Sequence, residues 1–274
     1  MLRKSLFLNS ILFNSEAWHN LSQSQVEAFE KNDEALIRSL VIGHAKIPVP
    51  ALYLECGQLP IRYILACRRL LYLQTILHRA PDELIQRVYL AQRTDPSEGD
   101  FCQIVDNDRQ LLDIWLSDDQ ITNMSVYDLK TLVRRKARDQ AFQRLVSIKE
   151  TKTKMSNIIY TNSYQTQPYM KVLTREKSSL LLALRTRTYR GIRSDFGDLF
   201  PSKECPLAGC SQPDSLPHTL ACQVLLAAVD EPSLVSYGDV FSSSVAVQEV
   251  AVLRFAQVLE ARERILDMDS QPAN

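Results

Sequence analysis

Ile61-Arg-Tyr-Ile-Leu-Ala-Cys-Arg-Arg-Leu-Leu-Tyr-Leu-Gln-Thr-Ile-Leu-His78 follows Pro60 and contains neither glycine nor a further proline. Its polar members Arg62, Arg68, Arg69 and Gln74 lie scattered among Ile64, Leu65, Leu70, Leu71, Leu73, Ile76 and Leu77. A helix that is apolar on most sides buries most of its surface, so it sits at the centre of its domain. The stretch therefore predicts a helix that forms the core of the N-terminal half, and it sets the class of the whole chain.

The flanking sequence extends the same reading. Upstream, Ser22 and Gln25 form a capping-box pattern, and Val26, Phe29, Leu36, Leu40 and Val41 recur at helical spacing up to Gly43. Pro48 and Pro50 then break the chain before a short segment, Ala51-Leu-Tyr-Leu-Glu-Cys56, closed by Gly57. Downstream, helices are predicted over Asp82 to about Gln92 and over Phe101 to Trp115, separated by the turn cluster Asp95–Asp100. Ser125 with Asp128 caps a long helix, Val126 to Glu150, with an apolar stripe at Val126, Leu129, Leu132 or Val133, Phe142, Leu145 and Ile148. Ile158 to Tyr169 has no clear period and is predicted as a surface loop. Helices over Thr174–Tyr189 and Ser244–Leu266 and a frayed tail from Met268 complete the chain.

Seven glycines in 274 residues and an abundance of Leu, Arg, Gln, Ala and Glu agree with this helical pattern. The expected fold is all-α: an irregular multi-helix bundle with a small zinc-knuckle-like module near the C-terminal third. Arg3 and Lys4 before an apolar run imitate a leader peptide, but Asn9 and Ser10 interrupt it, so a buried first helix is expected. No apolar run is long enough to cross a membrane. Cys56, Cys67 and Cys102 show no pairing pattern and read as reduced thiols of an intracellular protein, nuclear or cytoplasmic.

The densest chemistry is Cys205-Pro-Leu-Ala-Gly-Cys210 followed by His218-Thr-Leu-Ala-Cys222. The spacing is C-x4-C-x7-H-x3-C, two short ligand pairs joined by a turn-rich connector. Three thiolates and an imidazole can close a tetrahedron around zinc with no water left in it, which is a structural site and not a catalytic one. If Pro217 opens a helix, His218 and Cys222 share one face of it, and that helix is expected to continue through Leu226. The predicted metal ligands are Cys205, Cys210, His218 and Cys222.

Zero net charge conceals a strong polarity. From Asp128 to Arg193 there are sixteen Lys/Arg against four acids, about +12, balanced by about −12 elsewhere. Cations beside Tyr160, Tyr164, Tyr169 and Tyr189 suit a strand of RNA or DNA. The candidate contacts are Arg134, Arg135, Lys136, Arg138, Arg185, Arg187, Arg190 and Arg193. Asp118-Asp119 lacks the companion carboxylates of a polymerase or nuclease site and reads as a solvated loop or helix start. There is no phosphate-binding glycine loop, dinucleotide fingerprint, H-E-x-x-H or nucleophile elbow. His19, His44 and His78 stand alone, so no catalytic residues are expected.

Several pieces together resemble the region downstream of the polymerase core in reverse transcriptases of animal non-LTR retrotransposons. They are Leu12–Trp18, Ala51–Glu55, Gly57–Tyr63 running into Arg68-Arg-Leu70, Leu184-Arg-Thr-Arg187 and the Cys/Cys/His/Cys cluster, over roughly residues 10 to 225. The resemblance implies a helical thumb that grips a template-primer duplex, followed by a zinc knuckle whose ligands are Cys205, Cys210, His218 and Cys222. C-x4-C departs from the commoner C-x2-C. The aromatic-x-Asp-Asp polymerase motif and endonuclease carboxylates are absent, so a fragment or remnant without catalysis is implied. The expected divisions are a thumb-like domain over 1–120, a basic segment over 121–200, the knuckle over 201–226 and a C-terminal helix with tail over 227–274. A competing expectation is a zinc-stapled scaffold that binds a protein through its C-terminal helix.

Overall fold

The computed structural model describes residues 3, 8, 10, 12–18, 21–41, 47–151, 155, 158, 160, 164–189, 192, 202–229 and 235–270. The expected first helix, His19, Gly43, His44 and the segment leading to Pro201 fall wholly or mostly outside them. The described elements are α1 (Gln23–Val41), α2 (Val49–Cys56), α3 (Ile61–Leu77), α4 (Leu84–Thr94), α5 (Phe101–Leu112), α6 (Asp118–Asn123) and α7 (Val126–Glu150), then α8 (Tyr169–Val172), α9 (Arg175–Arg185), α10 (Leu216–Ala221), α11 (Gln223–Ala227) and α12 (Val245–Ser270). Short 3-10 turns cover Ser15–Ala17 and Tyr237–Phe241. Among the described residues the only strand-like pairing is an isolated antiparallel bridge between Glu204 and Pro213. The fold is all-α. None of the described helices is long and apolar enough to cross a membrane.

The chain forms two compact units, divided differently from the linear boundaries expected at 120, 200 and 226. One comprises Met1–Ile37, Gly57–Ser147 and Asn162–Gln165, and the other Arg38–Cys56, Ile148–Thr161 and Thr166–Asn274. Two of the boundaries fall inside α1 and α7, where no composition change marks them. Sequence periodicity follows a helix from turn to turn and is blind to which core each turn joins.

In the first unit α3 is central and packs chiefly on α5. It buries Ile61, Tyr63, Leu65, Leu70, Leu73 and Ile76, and also Arg69 and Gln74. Each buried polar group has a partner, as a dry interior demands. Arg69 Nε and Nη2 donate to the two Asp108 oxygens at 2.5 and 2.7 Å. Gln74 Nε2 donates to Ile121 O and Met124 O, fixing the C-terminal end of α6 against α3. Burial pushes the Asp108 carboxyl up while the Arg69 guanidinium works against it. Asp108→Ala should strand a buried guanidinium and cost about 3–5 kcal/mol. Chemical denaturation checks this, and the paired change with Arg69→Met should recover much of the loss.

The capping box at Ser22 and the cap at Ser125 form as read. Ser22 N–H donates to Gln25 Oε1 (2.8 Å), and Asp128 N–H donates to Ser125 Oγ (3.0 Å). Asp118 is a helix start, held by Arg109 at 2.5 Å and by the Tyr89 hydroxyl at 2.5 Å. Two stripes differ from expectation. α7 buries Leu129, Val133, Ala137, Ala141 and Leu145, leaving Val126 66% and Ile148 38% exposed. The small Ala137 and Ala141 carry the close packing that larger residues were expected to make. α5 stops at Leu112 because Asp113 adopts a left-handed φ of 53°, and Trp115 is solvent-exposed.

The second unit is built on α12. Ala251, Val252, Phe255 and Leu259 join Tyr169, Leu181, Leu184, Leu216 and Val240 in one core. Ile158 and Tyr169, at the two ends of the segment expected as a surface loop, are instead fully covered in this unit. Glu55 explains why. This carboxylate is buried, and it accepts from Tyr160 Oη (3.0 Å), Tyr169 Oη (2.9 Å) and Arg185 Nε (3.2 Å). α9 also ends four residues early: Arg187 takes a left-handed φ of 52°, and Thr188 N–H returns to Ala183 O at 2.9 Å. That is the hydrogen-bonded C-terminal turn that usually employs glycine. α12 runs to Ser270, beyond the expected end at Leu266, while 271–274 lie outside the described residues.

Candidate metal centre

Cys205, Cys210, His218 and Cys222 gather their donor atoms within 4.8 Å of one another. His218 Nε2 lies 3.3 Å from Cys210 Sγ, and Cys222 Sγ lies 4.0 Å from it. In a tetrahedron with metal–sulfur bonds near 2.3 Å the S···S edges are about 3.8 Å. The four side chains are thus arranged on the scale of a single ion. Cys205 and Cys222 are buried, Cys210 and His218 half-buried.

Local structure makes the approach possible. Residues 203–214 fold back on themselves: Cys205 N–H donates to Gln212 O (2.8 Å), Cys210 N–H to Leu207 O (3.1 Å) and Asp214 N–H to Lys203 O (2.8 Å). Gly209 supplies the tight reversal at φ 82°, a conformation that L side chains rarely adopt. Ser215 then accepts from the His218 N–H (3.2 Å) and caps α10, with Pro217 in its first turn. The predicted continuation of that helix is corrected: Cys222 has an extended backbone (φ −65°, ψ 118°) and separates α10 from α11. The break lets the Cys222 thiol meet the Cys210 and Cys205 sulfurs instead of following the helical screw.

The cluster sits on a small core of Leu207, Leu225 and Val258, so it belongs to the α12 unit and is not a free-standing knuckle. Asp214, inside the connector, receives both arms of Arg262 from α12 at 2.6 and 2.7 Å, and both residues are buried. Sequence reading missed this pair. The only signal was an acid between the two ligand pairs and an arginine on the buried side of the last helix. Burial pushes the Cys205 thiol up to about 11, whereas the Gln212 backbone N–H and the neighbouring thiols hold Cys210 below the ordinary thiol range. A bound cation would draw the protons from these thiols.

The expected nucleic-acid contacts divide. Arg134, Arg135 and Arg138 are exposed on α7, and none is in an ion pair among the described residues. Together with Thr131, Asp139, Tyr164 and Gln165, all in the same unit, they line a concavity of about 330 Å³. Lys136 is drawn to Asp113 at 2.8 Å. Arg185 is corrected: it is 5% exposed, bonded to Glu55 and donating to Val240 O at 2.9 Å, so its charge serves the core. Arg187 is half-buried in the turn after α9. Arg190 and Arg193 lie outside the described residues. The tyrosines are corrected as well. Tyr164 and Tyr169 are buried, so their faces are not open stacking platforms, while Tyr160, tied to Glu55, and Tyr189, packed on the α12 core, are half-buried.

Compared with family models, curated proteins and solved structures, the chain matches none.

Proposed function

We propose that this protein is a non-catalytic nucleic-acid-binding module stabilised by zinc, derived from the region downstream of the polymerase core of a non-LTR retrotransposon reverse transcriptase. The observation that carries the binding reading is the exposed arginine face of α7, three arginines within five residues that form no ion pair among the described residues. Such a face supplies phosphate contacts and long-range attraction without sequence readout. Zinc is the ion of choice because three sulfurs and an imidazole at this spacing match its structural sites. When bound it supplies local folding energy, and the four side chains hold it. The derivation from a reverse transcriptase is supported by the order of the sequence pieces. Two of them, Ala51–Glu55 and Leu184–Arg187, meet through the buried Glu55–Arg185 pair.

The test is binding of the full chain to a generic single-stranded oligonucleotide over a salt series. A footprint of four to six phosphates gives a log–log slope of roughly −3 to −5. Arg134, Arg135 and Arg138 changed together to Gln should flatten it by about 2 to 3 units, since each contact contributes about 0.7 to 0.9. A parent slope near zero would overturn the reading. It would favour the scaffold instead, which has its own observation: Val247, Val250 and Leu253 form an exposed apolar stripe on α12.

A further inference from the structure

We propose that the concavity on α7 seats one nucleotide unit of the bound strand, phosphate and nucleoside together, and does not merely attract phosphate. This deepens the nucleic-acid reading and rests on it.

Size is the first consideration. The concavity of about 330 Å³ corresponds to roughly ten waters at about 30 Å³ each. That is far more than one tetrahedral anion displaces, and it falls at the lower end of small-molecule sites. Donor chemistry is the second. Arg134 and Arg138 are one helical turn apart, and Arg135 lies three residues before Arg138, so all three border the same hollow. Guanidinium groups donate and never accept, so the occupant must bring negative charge and acceptor atoms.

Asp139 is the third and most informative member. It lines the same hollow, where it weakens the attraction for a bare anion. A carboxylate earns a place beside three arginines by accepting hydrogen bonds, and a nucleotide has such donors in its sugar hydroxyl and base amine. Gln165 adds an amide that both donates and accepts. The second wall is fixed: Tyr164 is 8% exposed and its hydroxyl donates to Gln58 O at 2.6 Å. Little of its ring is open for stacking, so recognition rests on polar groups. An occupant that combines an anion with hydrogen-bond donors, at this size, is a nucleoside monophosphate unit.

The test uses the full-length, metal-loaded protein, with adenosine monophosphate and inorganic phosphate as calorimetric probes and a fluorescent oligonucleotide as competitor. Adenosine monophosphate should bind at least about tenfold tighter than phosphate, the worth of one or two extra bonds to charged groups, and should displace the oligonucleotide. Arg135→Gln with Arg138→Gln should remove that binding without changing the thermal melt. Asp139→Asn should strengthen phosphate binding and narrow the preference for the nucleotide. Equal affinity for both probes, or nucleotide binding untouched by the arginine changes, would sink the seat. Oligonucleotide binding that adenosine monophosphate cannot compete would also sink it, while leaving the broader reading intact. Nucleotide binding without any oligonucleotide binding would overturn the broader reading and, with it, a seat for a strand.

Discussion

Cys222→Ser is expected to abolish stoichiometric metal binding and to loosen residues 202–228, while the first unit keeps its stability. Cys222 is almost fully covered, its sulfur is 4.0 Å from that of Cys210, and its extended backbone breaks the chain between α10 and α11. A serine hydroxyl at that position is a poor zinc ligand, and no other thiol among the described residues joins the cluster. Structural zinc contributes about 10–16 kcal/mol of apparent binding energy in small finger peptides. Here the core around Leu207, Leu225 and Val258 retains part of the structure, so the segment should become protease-sensitive and exchange its amides faster instead of unfolding the chain. Elemental analysis should read one zinc per parent chain and less than a tenth of that in the variant. Full metal content in the variant, or none in a parent purified without chelator, would refute the assignment.

The second large effect is expected at Asp214. Asp214→Ala leaves Arg262 buried with its bidentate partner gone, and an uncompensated internal charge costs about 3–5 kcal/mol. Because Asp214 sits between the two ligand pairs and Arg262 sits on α12, the loss should appear twice. The denaturation midpoint of the second unit should fall, and zinc should leave faster when a chelator is added. Asp214→Leu combined with Arg262→Met removes both charges and should restore most of the stability, since a buried pair is often no better than apolar groups of similar volume. Recovery of stability without recovery of zinc retention would show that the pair also orients the connector. An unchanged midpoint in the single variant would contradict the burial of the pair.

Much of the secondary structure was legible. The α3 stretch, the caps at Ser22 and Ser125 and the full extent of α7 follow from apolar spacing and from side chains that cap their own backbone, which are interactions within a few residues. The four members of the Cys/His cluster were legible for the same reason, as two short pairs whose spacing reflects the reach of a turn. Helix ends were less so. α5 and α9 stop where Asp113 and Arg187 adopt left-handed conformations, and neither is the glycine that advertises such a stop.

Burial of charge was not legible at all. Arg134, Arg135 and Arg185 look alike in a charge count, yet two are exposed on α7 and the third lies in the core against Glu55, 130 positions away in sequence. Nothing local distinguishes them, because the partner that makes a buried guanidinium tolerable comes from another part of the chain. Arg69 with Asp108 and Arg262 with Asp214 repeat the case at 39 and 48 positions. By itself the sequence determined an all-helical chain with a cluster of three cysteines and a histidine, since periodicity and the spacing of such pairs act over one or two turns. Which arginines face solvent, which tyrosines are buried and how the chain divides into two units were decided by the tertiary structure, because desolvation and ion pairing depend on which distant segments close over each side chain.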